Sequence, residues 1–334
     1  MNFLLTSLWR RVYCATEWEK VGKDGESHQV ALPRHYPVLL LEVLHWLRPG
    51  PGRIYVDCTV GYCGHAQEIL ESSAPSGIVI GIDRDREAIE AGRRKLVRYG
   101  DRADLIQGSF VELKRHLGER GISRVDGILF DLGVSSPQLD QPARGFSFQC
   151  EGPLDMRMDQ STGTTAADIV NKAKESDLAD MIFRFGEERY SRRIARAIVR
   201  ARAGHPLATT HELVSVIESA VPVHYRRGRL HCATRTFQAL RIAVNQELES
   251  LEPALRDAGD LLASGARICA ISFHSLEDRI VKRTFRSLAL QSGEGFEILT
   301  KRPQLPSNEE IDRNPRSRSA KLRVIQRIAQ EGRA

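Results

Sequence analysis

The sequence predicts an α/β fold, a doubly wound parallel sheet with an inserted all-α domain, and three observations carry that prediction. Four short apolar runs, IYVDCTVG (54–61), GIVIGIDRD (77–85), ADLIQGSF (103–110) and VDGILFDLG (125–133), are dense in Ile, Val and Leu without polar alternation. Strands of that kind are buried on both faces, as in a parallel sheet. Helical stretches such as AQEILESS and REAIEAGRRKLVRYG separate them, which suits right-handed crossovers between parallel strands. From about 140 to 235 the pattern changes and no strand run appears. There DLADMIFRFGEERYSRRIARAIVRAR sets Leu178, Ile182, Phe185, Ile194 and Ile198 at helical spacing, with Arg on the other face.

The remaining elements follow in order. TTHELVSVIESAV (209–221) opens on a Thr cap and continues as a helix. Strands return with GARICAISFHS (265–275), and a helix, EDRIVKRTFRSL, comes next. FEILTK (296–301) and KLRVIQRI (321–328) read as a closing antiparallel pair, joined by the Pro- and Arg-rich surface loop RPQLPSNEEIDRNPRSRS. The sheet domain is therefore expected over 31–140 and 236–334, the helical insertion over 141–235, and a disordered extension over 1–30.

Composition narrows the function classes. A chain of 334 residues with 41% hydrophobic and 28% charged residues is ordinary for a globular protein. No apolar run approaches the ~20 residues that span a bilayer, so a cytoplasmic protein with no membrane partner is expected. The six cysteines form no C-x-x-C pair, which argues against a zinc ribbon, and no metal is expected. The net charge is +6, with 40 Arg against 9 Lys. Guanidinium groups match phosphate oxygens, so a nucleic-acid partner is permitted.

Open α/β sheets bind ligands where loops diverge at the carboxyl ends of strands. The first strand ends in Asp57-Cys-Thr-Val-Gly61-Tyr-Cys-Gly64-His65, where glycines let backbone approach a ligand closely. This is neither G-x-G-x-x-G nor a phosphate loop, which disfavours an NAD-type oxidoreductase. Asp83, ending the second strand, is placed to accept from both hydroxyls of a ribose. Phe110, ending the third, could stack on adenine, and Asp131, ending the fourth, points into the same cleft. Together these suit a nucleoside without phosphates, and S-adenosylmethionine is the commonest such ligand.

More specific segments run through the chain in order: HYPVLLLEVL (35–44), DCTVGYCGH (57–65), GIDRDREAI (81–89), DGILFDLGVSSPQLD (126–140), RGFSF (144–148) and GPLDMRMD (152–159). TAADIVN (165–171), GEER (186–189), ATRTFQALRIAVNQEL (233–248), SFHSLEDRIVK (272–282) and NPRSRSAKLRV (314–324) complete them. By these segments the chain, from about His35 to Arg327, resembles the bacterial small-subunit ribosomal RNA (cytosine-N4)-methyltransferase family. The resemblance implies a Rossmann-like class I methyltransferase sheet that transfers a methyl group from S-adenosyl-L-methionine to N4 of a cytidine. By the same resemblance the expected target is cytidine 1402 in the decoding region of 16S rRNA. A small ribosomal subunit is the implied partner, and the resemblance leaves room for a homodimer.

Carried over by motif, the family's cofactor contacts fall on Cys63, Gly64, His65, Asp83, Phe110, Asp131 and Gln138. One departure stands out: Tyr62 and Cys63 occupy positions usually held by glycine. They strain the loop if positive φ is required there and leave binding intact if only backbone N–H groups are used. A non-enzymatic RNA-binding factor on the same fold is the reading that this departure motivates.

A cytosine amine is a poor nucleophile because its lone pair is delocalised into the ring. The site must accept hydrogen bonds from its N–H groups while holding it in line with the methyl donor. Amino-methylating enzymes place an Asp/Asn-Pro-Pro-aromatic motif after the fourth strand. This chain has Asp131-Leu-Gly-Val-Ser135-Ser136-Pro137-Gln138 there. Asp131, or Ser136 beside Pro137, is expected to hold the amine together with a backbone carbonyl. The alternative is that Asp131 only orients the cofactor while Ser135-Ser136 caps a helix. His274 is either a general base facing the cleft or a buried histidine satisfied by Glu277 or Asp278. Candidate phosphate contacts are Arg189, Arg192, Arg193, Arg196 and Arg200, then Arg226, Arg227 and Arg229, and the stretch Arg313 to Arg323. A solvated charge run is their alternative.

Overall fold

The computed structural model describes residues 36–290 and 295–328, so the extension expected over 1–30 lies outside the described residues. The chain runs α1 (Leu40–Leu47), β1 (Ile54–Asp57), α2 (Gly64–Ser72), β2 (Ile78–Asp83), α3 (Arg86–Leu96) and β3 (Ala103–Gln107). It continues with α4 (Leu113–Gly118), β4 (Val125–Asp131), α5 (Ser136–Asp140), α6 (Ala166–Lys172), α7 (Glu175–Gly186), α8 (Ser191–Arg202), α9 (Thr210–Ala220) and α10 (Val223–Arg226). The last stretch is α11 (Thr234–Asn245), α12 (Glu247–Leu261), β5 (Leu262–Ser272), α13 (Ser275–Leu290), β6 (Phe296–Ile298), α14 (Asn308–Arg313) and β7 (Lys321–Arg327).

The strands form one seven-stranded sheet in the order β3-β2-β1-β4-β5-β7-β6. β1 to β5 pair in parallel, while β7 pairs antiparallel with both β5 and β6. The expected closing pair is thus present, and the α/β class holds. Successive side chains of a strand point to opposite faces, and the two faces carry separate apolar layers. Val56, Ile80, Ile82, Ile128 and Phe130 pack with Leu251 and Leu255 of α12 and Val281 and Phe285 of α13. Tyr55, Val79, Leu129 and Ile271 pack on the other face with Val43 of α1, Ile69 and Leu70 of α2 and Ile89 of α3. The central parallel strands β1, β2 and β4 are apolar along most of their length because neither face meets water.

The chain divides into two compact units. The sheet unit takes Tyr36–Ser136, Arg157–Thr164 and the chain from Arg241 onward; the helical unit takes Pro137–Met156 and Thr165–Leu240. In the helical unit the run from Glu175 to Arg202, continuous in its periodicity, divides into α7 and α8 at Glu187, where φ is 49°. Gly186 precedes that break, and a β-carbon there would lie 2.4 Å from the Arg235 carbonyl oxygen. Close backbone approach is what requires glycine at 186. Thr209 opens α9 with a reciprocal cap, its hydroxyl accepting from the Glu212 N–H while the Glu212 carboxylate accepts from the Thr209 N–H.

Candidate functional site

Sheets of this kind bind ligands where the strand order reverses, and here the reversal falls between β1 and β4. The strands ending at that point finish in acids: Asp57 on β1, Asp131 on β4 and, next along, Asp83 on β2. Loop hydrogen bonds tie these ends together. The Asp131 N–H donates to Thr59 Oγ1 at 2.6 Å and the Gly61 N–H to Asp83 Oδ2 at 2.8 Å. The Val60 N–H reaches the Ile82 carbonyl at 2.9 Å, and the Gly108 N–H reaches the Asp83 carbonyl at 2.8 Å.

The three carboxylates keep different company. Asp83 accepts from the N–H groups of Gly61 and, at 2.9 Å, Asp85, which leaves two of its roughly four lone-pair sites open. Burial raises its pKa to about 6 against those donors. Asp57 is 1% exposed and accepts from the Thr59 N–H at 3.2 Å. Burial raises it to about 7, with Thr59 opposing and Asp83 adding. Asp131 is the most isolated. Its side chain is a quarter exposed overall, yet Oδ1 is sealed from solvent with no hydrogen-bond partner among the described residues. Oδ2 lies 3.6 Å from His65 Nδ1. Burial first, then the charges of Asp57 and Glu277, pushes the Asp131 carboxyl well above the usual carboxylate range.

Three acids on adjacent strand ends, Asp57 buried and Asp83 and Asp131 half-buried, would repel a pyrophosphate. They leave spare acceptors for hydroxyl groups and negative potential for a cation. S-adenosylmethionine offers both, in its ribose hydroxyls and in its sulfonium and ammonium groups. The unpartnered Oδ1 of Asp131 is the observation that such a ligand or its acceptor would satisfy. Two surface grooves, of about 540 and 360 Å³, lie elsewhere, the larger along Leu248–Asp257 and the smaller in the helical unit beside Asn171.

The glycine-rich turn resolves the departure at 62 and 63. Cys63 adopts φ 59°, ψ 37°, and Tyr62 is not among the positive-φ residues. A left-handed side-chain-bearing residue costs roughly 1–2 kcal/mol. The thiol is nevertheless housed: Cys63 is fully buried, and a β-carbon on Gly92 of α3 would lie 2.5 Å from its sulfur. The Cys63 N–H donates to the Val60 carbonyl at 2.8 Å. Gly64 opens α2 against Pro37, whose Cγ would be 2.8 Å from an added β-carbon.

Phe110 stands beyond the strand rather than at its end. β3 stops at Gln107, and Phe110 begins a short turn capped by Ser109. Its ring meets Phe130 edge-on at 5.8 Å, with the Arg84 guanidinium 5.6 Å from its centre. Arg84 also donates to Ser109 Oγ at 2.8 Å and the Asn245 carbonyl at 2.6 Å. Ser136 closes the first segment of the sheet unit and is 7% exposed. Pro137 and Gln138 fall in the helical unit, where Gln138 is 5% exposed.

His274, just past β5, is half-buried and lies beside Glu277. Its Nδ1 accepts from the Glu277 N–H at 3.4 Å, and its Nε2 lies 3.2 Å from Glu277 Oε1, close in distance though outside hydrogen-bond geometry. Glu277 Oε2 accepts from the N–H groups of Phe273 at 2.8 Å and His274 at 3.3 Å. Burial alone would raise the Glu277 carboxyl. The close contact with His274, the charge of Arg241 and the Phe273 N–H outweigh it and hold Glu277 below the usual range. Arg241 stands 2.8 Å from Glu247 Oε2 and 3.9 Å from Glu277 Oε1. It sets a guanidinium beside two of the three groups Glu247, His274 and Glu277, whose ligand atoms lie close together.

A model of the MraW methylase family matches residues 33–328. The chain belongs to that family. It is therefore a methyltransferase whose methyl donor is S-adenosylmethionine. Among curated relatives, ribosomal RNA small subunit methyltransferase H from Syntrophotalea carbinolica is 51% identical over 88% of this chain and 98% of its own length. The protein of that name from Geotalea uraniireducens is 50% identical with the same coverage of both chains. Among solved structures, an rRNA methylase from Streptococcus thermophilus aligns over 87% of this methylase and 93% of that chain, at 10% identity and a TM-score of 0.40. That likeness is too loose to argue any chemistry.

Sequence reasoning passed over Asp57, although the strand-end rule that found Asp83 and Asp131 applies to it equally. It also passed over the Arg241–Glu247 pair, for which no local signal exists. Among the arginines, Arg192, Arg193 and Arg200 lie exposed on α8, and Arg226, Arg227 and Arg229 are exposed as well. Arg196 is 3.4 Å from Glu175. Arg189 packs 4.8 Å from the ring centres of both Tyr190 and Tyr225. Arg323 does not offer itself to a phosphate: it is 7% exposed and donates to both oxygens of Asp278.

Proposed function

We propose that this methylase transfers the methyl group of S-adenosylmethionine to N4 of a cytidine in 16S rRNA, with cytidine 1402 as the target and an assembling small subunit as the substrate particle. The bound cofactor supplies an electrophilic methyl on a sulfonium whose C–S electron pair remains with sulfur. The chain supplies everything else. Asp83 takes the ribose hydroxyls, the Cys63–Gly64–His65 turn and Phe110 flank the nucleoside, and Gln138 completes its contacts. Asp131 accepts a hydrogen bond from the target amine, with Ser136 and Pro137 shaping the turn beside it.

The observation that carries this reading is the buried, unpartnered Oδ1 of Asp131. A buried acceptor left without a donor costs about 1–3 kcal/mol, so the site is built for a donor that arrives with a ligand. The target base must leave its stack to reach a strand-end pocket. The exposed arginines of α8 and of 226–229 suit RNA phosphates. The housing of Cys63 removes the motive for an inactive RNA-binding factor. Incubating undermethylated small subunits with labelled cofactor and mapping the labelled nucleotide tests the proposal. Label at a cytosine amine of 16S rRNA is expected, and label on another base or atom refutes it.

A further inference from the structure

His65 is carried over only as part of a cofactor-binding turn, but its imidazole has a geometry of its own. It is 5% exposed in the first turn of α2, and its Nε2 lies 2.9 Å from the Val38 carbonyl oxygen. A carbonyl can only accept, so Nε2 must carry the hydrogen. A neutral ring would then turn the bare lone pair of Nδ1 towards Asp131 Oδ2 at 3.6 Å. Two lone pairs do not attract, so the contact is favourable only with a proton between them.

We propose that the His65 side chain is a positioning residue for methyl transfer. It holds a proton on Nδ1 against Asp131 and so favours ionisation of that carboxylate against its burial, with Oδ1 open to take the proton that leaves the target amine. The inference rests on the proposed reaction at a cytosine amine. As the amine nitrogen forms its bond to the incoming methyl carbon, one N–H bond breaks. Its electron pair stays on nitrogen, and the proton moves to Asp131 Oδ1. His65 itself neither touches the base nor gains a bond.

The surroundings of Asp131 explain why such a partner is needed. Asp57 from β1 and Glu277 from α13 both face it with like charge. Thr59 occupies only its backbone N–H. His65 from α2 is the only ion-pair partner of Asp131 among the described residues. Without an imidazolium there, burial and two neighbouring acids favour the neutral acid, which cannot accept a proton. The first turn of α2 opposes a cation through the helix dipole, so the Asp131 charge must in turn sustain the imidazolium. The two groups titrate as a pair.

His65→Gln separates the two roles of the ring. A glutamine amide can still donate to the Val38 carbonyl, but nothing titratable remains opposite Asp131. Nitrogen-15 NMR of the cofactor-free protein should show His65 titrating at lower pH in Asp131→Asn than in the native protein. An identical midpoint in both overturns the proposal. Turnover depends on ionised Asp131 and rises with pH. In His65→Gln that limb should move to higher pH, with turnover at pH 7 reduced at least tenfold and partly recovered in alkali. A profile superimposable on that of the native protein also overturns it. A native enzyme that shows the NMR coupling yet labels no cytosine amine would instead refute the proposed function and leave the ion pair standing.

Discussion

Two neighbouring strand ends of the sheet each bury a carboxylate beside a histidine, and they treat it in opposite ways. Beyond β5, Glu277 receives two backbone N–H groups, sits against His274 and lies near Arg241, and its carboxyl is held below the usual range. At the end of β4, Asp131 has, among the described residues, one sealed oxygen without a donor and no lysine or arginine partner, and its carboxyl is pushed well above. Depth does not explain the difference, since Glu277 is the deeper of the two and yet the one held low. Donors do, because hydrogen bonds to the charged form favour it and bare desolvation disfavours it. Glu277 is a finished structural group that opens α13. Asp131 is an unfinished one, completed by a ligand.

The largest expected effect breaks this contrast at its open end. Asp131→Asn should lower turnover by about 100-fold or more, the range of a lost proton acceptor, while cofactor affinity, titrated separately, falls far less. Unchanged turnover would leave Asp131 with no role in the chemistry.

Next is Glu277→Gln, which removes charge from the completed site. It should destabilise the fold by about 1.5–3 kcal/mol, the worth of hydrogen bonds to a charged group, as read by denaturant unfolding at pH 7. The Glu277 contribution is present at neutral pH and is lost as pH falls through its depressed folded value. A variant as stable as the native protein would erase the distinction between the two sites.

A pH series sharpens the comparison. Asp57 at about 7, Asp83 at about 6 and Asp131 above its usual value all bind protons in the folded state that the unfolded chain has already released. Their contribution is therefore fullest below pH 4 and declines as pH rises to about 7. The melting temperature of Asp131→Asn without cofactor should consequently fall less between pH 5 and 8 than that of the native protein. An equal fall would mean that Asp131 ionises freely. Saturating S-adenosylmethionine should shrink the native decline, since its cationic groups favour the ionised acids.

The smallest effect concerns the turn. Cys63→Gly relieves a left-handed residue but leaves space against Gly92, and the two terms offset. A stability change under about 1 kcal/mol is expected by calorimetry. A larger loss would show the thiol to be essential packing.

Much of this was legible in sequence because it is local or periodic. The unbroken apolar runs dictated a parallel sheet, since a strand covered on both faces has no position for a polar residue. The strand-end rule located Asp83 and Asp131, and the Thr209 cap marked the start of α9. Phe110 was misplaced by three residues because a strand and the turn that follows it share the same composition. Gly186 and Glu187 break one helical run into two for a reason that lies in Arg235, some fifty residues away. The unequal fates of Asp131, Glu277 and Arg323 were decided only by folding. Protonation and pairing depend on which partners reach a side chain through space, and those partners, among them Val38, Thr59, Arg241 and Asp278, lie at separations that no sequence period encodes.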